Sequence, residues 1–182
     1  MRTKKDRLAQ LIAEKALKFG NFKLASGQKS AHYYNMKTVT QDPEGISLLT
    51  DIIFGMIRDD TVKSVGGKET GSIPITTAVA LKSWQERIPI SSFFVRKEAK
   101  AHGDMSRIEG NPRAPVIMID DVTTTGGSIA EAVDVMEAIG LKVIKVITVL
   151  DREQGAKERF RIKGVSFVPI LNHSDIVAHN LA

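Results

Sequence analysis

The sequence predicts an α/β protein: a central, mostly parallel, twisted sheet flanked by helices, with a small N-terminal hairpin packed on it. Three observations carry this expectation. From about residue 61 onward, apolar runs alternate with helical stripes, the pattern of parallel strands joined by crossover helices. The run from Val116 to Ile119 is unbroken apolar, as in strands covered on both faces. Polar segments at 66–72, 120–128 and 151–155 each follow a strand. They therefore gather at one edge of the sheet, where open α/β sheets bind ligands.

Taken in order, Leu8, Leu11, Ile12, Ala16 and Phe19 form a helical stripe over 4–19, ended by Gly20. Phe22 and Leu24 alternate as a strand, 26–30 is a turn by composition, and 32–36 returns as a strand. Residues 21–37 thus predict a hairpin, part of a hood over 1–40 that packs on a core of 41–182. Pro43 behind Asp42 opens a helix whose buried face is Ile46, Leu49, Ile52, Ile53 and Met56. A strand at 62–65 runs into a loop, Gly66 to Ser72, and a helix follows over 74–84. The strand 88–95 is succeeded by a long polar stretch, 96–114, without structure of its own. A strand at 116, a helix from 129, a strand over 143–150, a helix over 153–161 and a strand over 165–171 complete the pattern, and the tail is short.

At 182 residues the chain is one domain with room for a real core, and 42% hydrophobic and 26% charged residues are ordinary for a globular protein. No apolar run is long enough to cross a membrane, and no signal-peptide pattern is present. Cysteine is absent, which excludes disulfides and thiolate chemistry and fits a cytoplasmic location. The net charge of +5 fits either nucleic acid or a small polyanion. With no helix-turn-helix, zinc knuckle or aromatic-interleaved basic strand in the chain, the small polyanion is favoured and no nucleic-acid partner is expected.

The chemistry centres on Asp120-Asp121-Val122-Thr123-Thr124-Thr125-Gly126-Gly127-Ser128, between a strand and a helix. Such a turn offers unpaired backbone N–H groups and the positive end of a helix dipole, a natural phosphate site. Thr123, Thr124, Thr125 and Ser128 add hydroxyls, and Gly126 and Gly127 allow close backbone approach. Two carboxylates would repel a phosphate alone, so they make sense if the ligand also carries hydroxyls or a metal-chelated group; a sugar phosphate fits. The loop at 66–72 fails the P-loop pattern, since Gly71 is followed by Ser72 and not by Lys. It is either a plain turn or a cradle for a second anion. Arg96, Lys97, Lys100 and His102 concentrate cationic groups in a flap suited to a polyphosphate leaving group. Arg152, after the strand ending at Leu150, is either a bidentate carboxylate clamp or half of a surface ion pair.

These pieces resemble the orotate phosphoribosyltransferases, within the type I phosphoribosyltransferases. The resemblance rests on Phe22 to Gly27, Ser30 to Asn35, the 66–72 loop, Phe94 to Gly103, the acid pair with its loop, and Asp151 to Gly155. It implies the type I phosphoribosyltransferase fold and transfer of a 5-phosphoribosyl group from 5-phosphoribosyl 1-diphosphate (PRPP) to orotate. Carried over by matched position, it implies Lys100, His102, Asp120 and Asp121 as catalytic residues. Arg96, Lys97, Lys100 and His102 would meet the diphosphate, together with the loop of Gly67, Lys68, Glu69, Thr70 and Gly71. Residues 120–128 would hold the ribose phosphate. Thr124, Arg152 and the backbone at Tyr33 and Tyr34, with Lys23, would take orotate. The resemblance further implies Mg²⁺ held mainly by PRPP with no direct protein ligand, and a homodimer whose flap, 96–103, is shared across the interface. The chain departs from the family pattern at Ala25, where a lysine is common, and at Ala31-His32, where a proline–aromatic pair is common. A purine-base transferase or a PRPP-sensing regulator on the same fold are the rival readings.

Overall fold

A computed structural model describes residues 3–23, 29–99 and 106–180. The first helix, α1 (Lys4–Lys15), opens on a capping box between Thr3 and Asp6. It stops four residues before the expected end. Leu17 already begins β1 (Leu17–Lys23), which pairs antiparallel with β2 (Lys29–Tyr34). Phe19 therefore belongs to the hairpin, edge-on to the His32 ring at 5.2 Å. Its spacing from Ala16 fitted a helix equally well. Between Phe19 and Phe22 the register slips by one residue, a β-bulge that includes Gly20.

A short helix, α2 (Lys37–Thr40), leads into α3 (Pro43–Ile57), where Asp42 accepts hydrogen bonds from the N–H groups of Glu44 and Gly45. The sheet and its crossovers follow: β3 (Ser64–Lys68), α4 (Ser72–Gln85), β4 (Ser91–Val95), β5 (Ile108–Gly110), β6 (Val116–Thr123), α5 (Gly127–Ala138), β7 (Val143–Asp151), α6 (Ala156–Lys163) and β8 (Ser166–Asn172). The six strands run in the order β5-β4-β3-β6-β7-β8, all parallel except β5, which pairs antiparallel with β4. From β3 the chain steps first to β4 on one side and later to β6 on the other. The order thus reverses between β3 and β6, and the crevice opens there.

Side chains of β6 alternate between two cores. Ile117 and Ile119 join the cluster under α1, α3, α4 and α7 (His173–Asn180). Val116 and Met118 join the one under α5 and α6, with Phe160 stacked on Phe167. No helix among the described residues is long and apolar enough to cross a membrane.

Three further expectations need correction. Gly66 and Gly67 lie inside β3, not in a loop. A Cβ on Gly66 would sit 2.3 Å from the Phe93 ring, and one on Gly67 would sit 2.1 Å from the Ile119 carbonyl oxygen, so these glycines serve close strand packing. The strand β6 continues through both acids to Thr123, because Val122 and Thr123 still pair with Leu150 and Asp151. The polar stretch 96–114 contains β5. The short tail forms the helix α7, which packs on α1.

Candidate active site

The crevice is a cavity of about 490 Å³. Tyr33 and Tyr34 reach it from β2, Lys68, Glu69 and Gly71 from the exit of β3, Asp120 through Ile129 from the end of β6 and start of α5, and Arg152 from the exit of β7. Every expected residue of 120–128 lines it, as do Tyr33, Tyr34, Thr124 and Arg152. Of the 67–71 segment, Lys68, Glu69 and Gly71 do so.

Two helices begin at this cavity, and neither has a side-chain cap: α4 behind Gly71 and α5 behind Gly126. By contrast α1 and α3, which begin elsewhere, are capped by Thr3 and Asp42. Apart from the Ile73 N–H, which donates to the Thr70 carbonyl at 3.3 Å, and Pro74, which has none, the first N–H groups of α4 and α5 are thus left for an external anion, with the dipole favouring negative charge. The tight turn into α5 needs glycine at 126, where φ is 76° and a Cβ would press to 3.1 Å from the Phe160 ring. The Glu69–Thr70 peptide bond is cis.

Strand alternation sends the two acids to opposite faces of β6. The Asp121 carboxylate lies against Gly71, where a Cβ would fall 2.4 Å from its Cγ, and its Oδ1 accepts from the Val122 N–H at 2.9 Å. Asp120 Oδ2 is 2.7 Å from Thr123 Oγ1, which is 2.9 Å from Thr148 Oγ1; Thr148 Oγ1 lies 3.3 Å from the Leu150 carbonyl. Thr123 and Thr148 are buried, so the Thr123 hydroxyl, expected to face a ligand, instead supports Asp120. A protonated Asp120 fills this chain with one donor per link, ending on the carbonyl. Burial pushes both carboxyls up; with the Asp121 charge added, Asp120 rises to about 7 against the opposing Thr123 hydroxyl and Lys68. Asp121 is likewise pushed up by burial, opposed by the Val122 N–H and by Lys37.

Arg152 forms the far wall. Its backbone N–H donates to the Thr123 carbonyl at 2.8 Å, which ties the exits of β6 and β7 together. The side chain is only 7% exposed. One terminal nitrogen donates to Ser30 Oγ at 2.8 Å and to the His32 carbonyl at 3.1 Å, and the guanidinium sits over the Tyr34 ring at 5.7 Å. Its Nε has no partner, and among the described residues it forms no ion pair. That settles one of two readings of Arg152: it is not half of a surface salt bridge with a described residue. A buried guanidinium without a counter-ion suits an anionic ligand.

The base of the flap is tied to this site. The Lys97 N–H donates to Glu69 Oε1 at 2.6 Å. Arg107 donates to the carbonyls of Arg96 and Lys97 and to Glu131 Oε1 at 2.6 Å, while Glu131 Oε2 takes Lys68 Nζ at 2.5 Å. Lys68 and then Arg107 hold the Glu131 carboxyl below its usual range. Arg107 and Glu131 carried no motif, since contacts between a loop and a distant helix leave no local spacing to read. Arg96 faces Glu109 at 3.5 Å, and neither it nor Lys97 is among the cavity-lining residues. Lys100, His102 and the Lys23 side chain lie outside the described residues.

A cavity at the switch point, with two uncapped helix starts and a paired acid between them, defines the phosphoribosyltransferase class. A family model, the phosphoribosyl transferase domain, matches residues 37–180. The orotate phosphoribosyltransferase of Rhodopseudomonas palustris is 39% identical over 177 residues, covering 94% of this chain and 95% of that protein. The crystal structure of orotate phosphoribosyltransferase from Aeropyrum pernix has a TM-score of 0.81 at 31% identity, covering 94% of this chain and 96% of that one. The Mycobacterium tuberculosis orotate phosphoribosyltransferase in complex with PRPP has a TM-score of 0.78 at 26% identity, covering 96% and 99%. The chain belongs to the orotate phosphoribosyltransferase family.

Proposed function

We infer that the protein transfers the 5-phosphoribosyl group of PRPP to N1 of orotate, giving orotidine 5′-monophosphate and diphosphate for pyrimidine nucleotide synthesis. The observation that carries this reading is Arg152, a buried guanidinium with no counter-ion among the described residues, across the cavity from the 124–128 turn. Orotate carries a carboxylate for it and purine bases do not, which disfavours the purine reading.

In this arrangement the N-terminus of α5, with Thr124, Thr125 and Ser128, holds the 5-phosphate, and the loop before α4 holds the diphosphate. Asp120 and Asp121 accept from the ribose hydroxyls and favour the positive charge that develops at C1 as its bond to diphosphate breaks. The N1–C1 bond forms as that bond opens, and Lys100 and His102 stabilise the departing diphosphate. Tyr33 and Tyr34 flank the base. Closure of the flap excludes water, which would otherwise take the ribosyl group.

Mg²⁺ fits as a companion of PRPP. Among the described residues no group of three or more His, Asp or Glu side chains could hold a metal. The acid pair supplies too few oxygens for an octahedral shell, while the diphosphate supplies more. When bound, the ion neutralises charge on the leaving diphosphate.

We also propose a homodimer with each flap closing over the partner's site. Leu81 and Trp84, three residues apart on α4, are 60% and 73% exposed, an apolar face of the kind a second copy covers. A cytoplasmic location fits the cysteine-free sequence.

Protein, Mg²⁺ and PRPP mixed with orotate should consume orotate absorbance, with no turnover of adenine or hypoxanthine. Turnover of those purines without turnover of orotate would overturn the assignment. Asp121→Asn and Lys100→Ala should each lower turnover by at least about tenfold, roughly 1.4 kcal/mol of transition-state stabilisation. Near-normal turnover in Lys100→Ala would remove the flap from the chemistry.

A further inference from the structure

The exit of β7 and the start of α7 are locked to each other behind the nucleobase wall. Glu153, next to Arg152, has φ of 58°, an uncommon conformation for a non-glycine residue. Two contacts hold it there. Its N–H donates to Asp151 Oδ1 at 2.9 Å, and its carboxylate accepts from the Ser174 N–H at 2.9 Å and from the Ser174 hydroxyl at 3.2 Å. Glu153 thereby caps α7 from outside and sets the place of its first residue, His173.

His173 Nδ1 lies 2.7 Å from the Tyr34 hydroxyl, and the two rings meet edge-on at 5.8 Å. His173 is not among the cavity-lining residues, whereas Tyr34 is. On the other side of the Tyr34 ring sits the Arg152 guanidinium, which is anchored in turn to Ser30 and to the His32 carbonyl. The His32 ring packs edge-on against His173 at 5.2 Å. Arg152, Tyr34 and His173 therefore form one closed circuit through β2, the β7 exit and α7.

We propose that His173 is a positioning residue for the nucleobase site, holding the Tyr34 ring by its hydroxyl so that ring and guanidinium present one fixed face to the carboxylate-bearing base. The proposal rests on the orotate reading and deepens it. With neutral His173 the Tyr34 hydroxyl donates to Nδ1. The side chain is kept toward its neutral form by burial first, then by His32 and Arg152, against the pull of Glu153. The phosphate turn of 124–128 has no part in this circuit. Loss of His173 should therefore be felt by the base and not by PRPP.

The test is steady-state kinetics with each substrate varied, beside PRPP binding measured calorimetrically without orotate and a thermal melt. His173→Ala should raise KM for orotate about three- to tenfold, the range of one lost hydrogen bond, with KM and Kd for PRPP unchanged. His173→Asn, which places an acceptor near the Nδ1 position, should restore KM for orotate. In a Tyr34→Phe background, His173→Ala should add nothing further. An unchanged KM for orotate, an equal rise for both substrates, or failure of the Asn variant to restore it would each overturn the proposal. Failure of the wild-type protein to use orotate at all would instead overturn the parent reading, and the proposal with it.

Discussion

Asp120 carries the sharpest conflict between stability and function. In the fold it keeps its proton up to about 7, raised by burial and by Asp121, whereas an unfolded aspartate loses its proton near pH 4. Between those limits the folded state binds more protons, so stability falls as pH rises through the window and the full penalty is present above it. Asp120→Asn removes the charge at every pH. Without ligand, its melting temperature should match the wild type near pH 4 and exceed it increasingly toward pH 8, while turnover falls. A melting-temperature difference independent of pH would refute this account. Arg152 shows the same tension with opposite charge: it is buried, its Nε lacks a partner, and burial lowers its pKa. The Asp-Asp-Val-Thr-Thr-Thr-Gly-Gly pattern was legible because a strand, a turn and a helix start are contiguous in sequence. The inward use of the Thr123 hydroxyl was not, because Thr148, its partner, belongs to another strand.

At the scale of elements, the two helices that begin at the cavity have no side-chain cap, as is also true of α2 and α6, whereas α1 and α3 are capped. The free N–H groups at the cavity are a standing cost until an anion arrives. Strand β3 is shaped by the same demand, since glycines at 66 and 67 let Phe93 and β6 approach and set the separation of the two loops. Gly67→Ala would force a Cβ onto the Ile119 carbonyl, which is backbone and cannot rotate away. Overpacking of this kind costs on the order of 1–3 kcal/mol. The melting temperature should therefore drop by roughly 2–10 °C for a chain of this size, read by calorimetry. No drop would mean that β3 and β6 separate easily. The helical stripes of α3 and α5 were legible in the periodicity of their apolar residues. The end of α1 was not, since Leu17 and Phe19 satisfy a helical spacing as well as a strand.

At the scale of the molecule, the cavity is assembled from the chain ends of β2, β3, β6 and β7. The proposed sharing of the flap between protomers has a distinctive consequence. Lys100→Ala and Asp121→Asn, each nearly inactive alone, should regain about a quarter of wild-type activity when dissociated and reassociated in equal amounts, since half the dimers are mixed and each mixed dimer holds one intact site. No recovery would mean that each flap serves its own protomer. The ion pairs of Glu131 with Lys68 and Arg107 join the segment around Arg107 to the exit of β3.

Sequence by itself determined the fold class and the strand, turn and helix start whose residues 120–128 line the cavity. Each of these is written in neighbouring residues whose spacing obeys the period of a strand or a helix. Tertiary structure alone decided the burial of Arg152 against Tyr34, the purpose of Gly66 and Gly67, the hydroxyl chain behind Asp120, and the place of His173 against Tyr34. Those depend on which distant segments meet, and burial then sets the charge state of what they enclose. Residues 34 and 173, or 123 and 148, share no local pattern. Only the strand order that folds β6 between β3 and β7 brings the second pair together, and only α7, which follows β8 and packs on α1, brings the first.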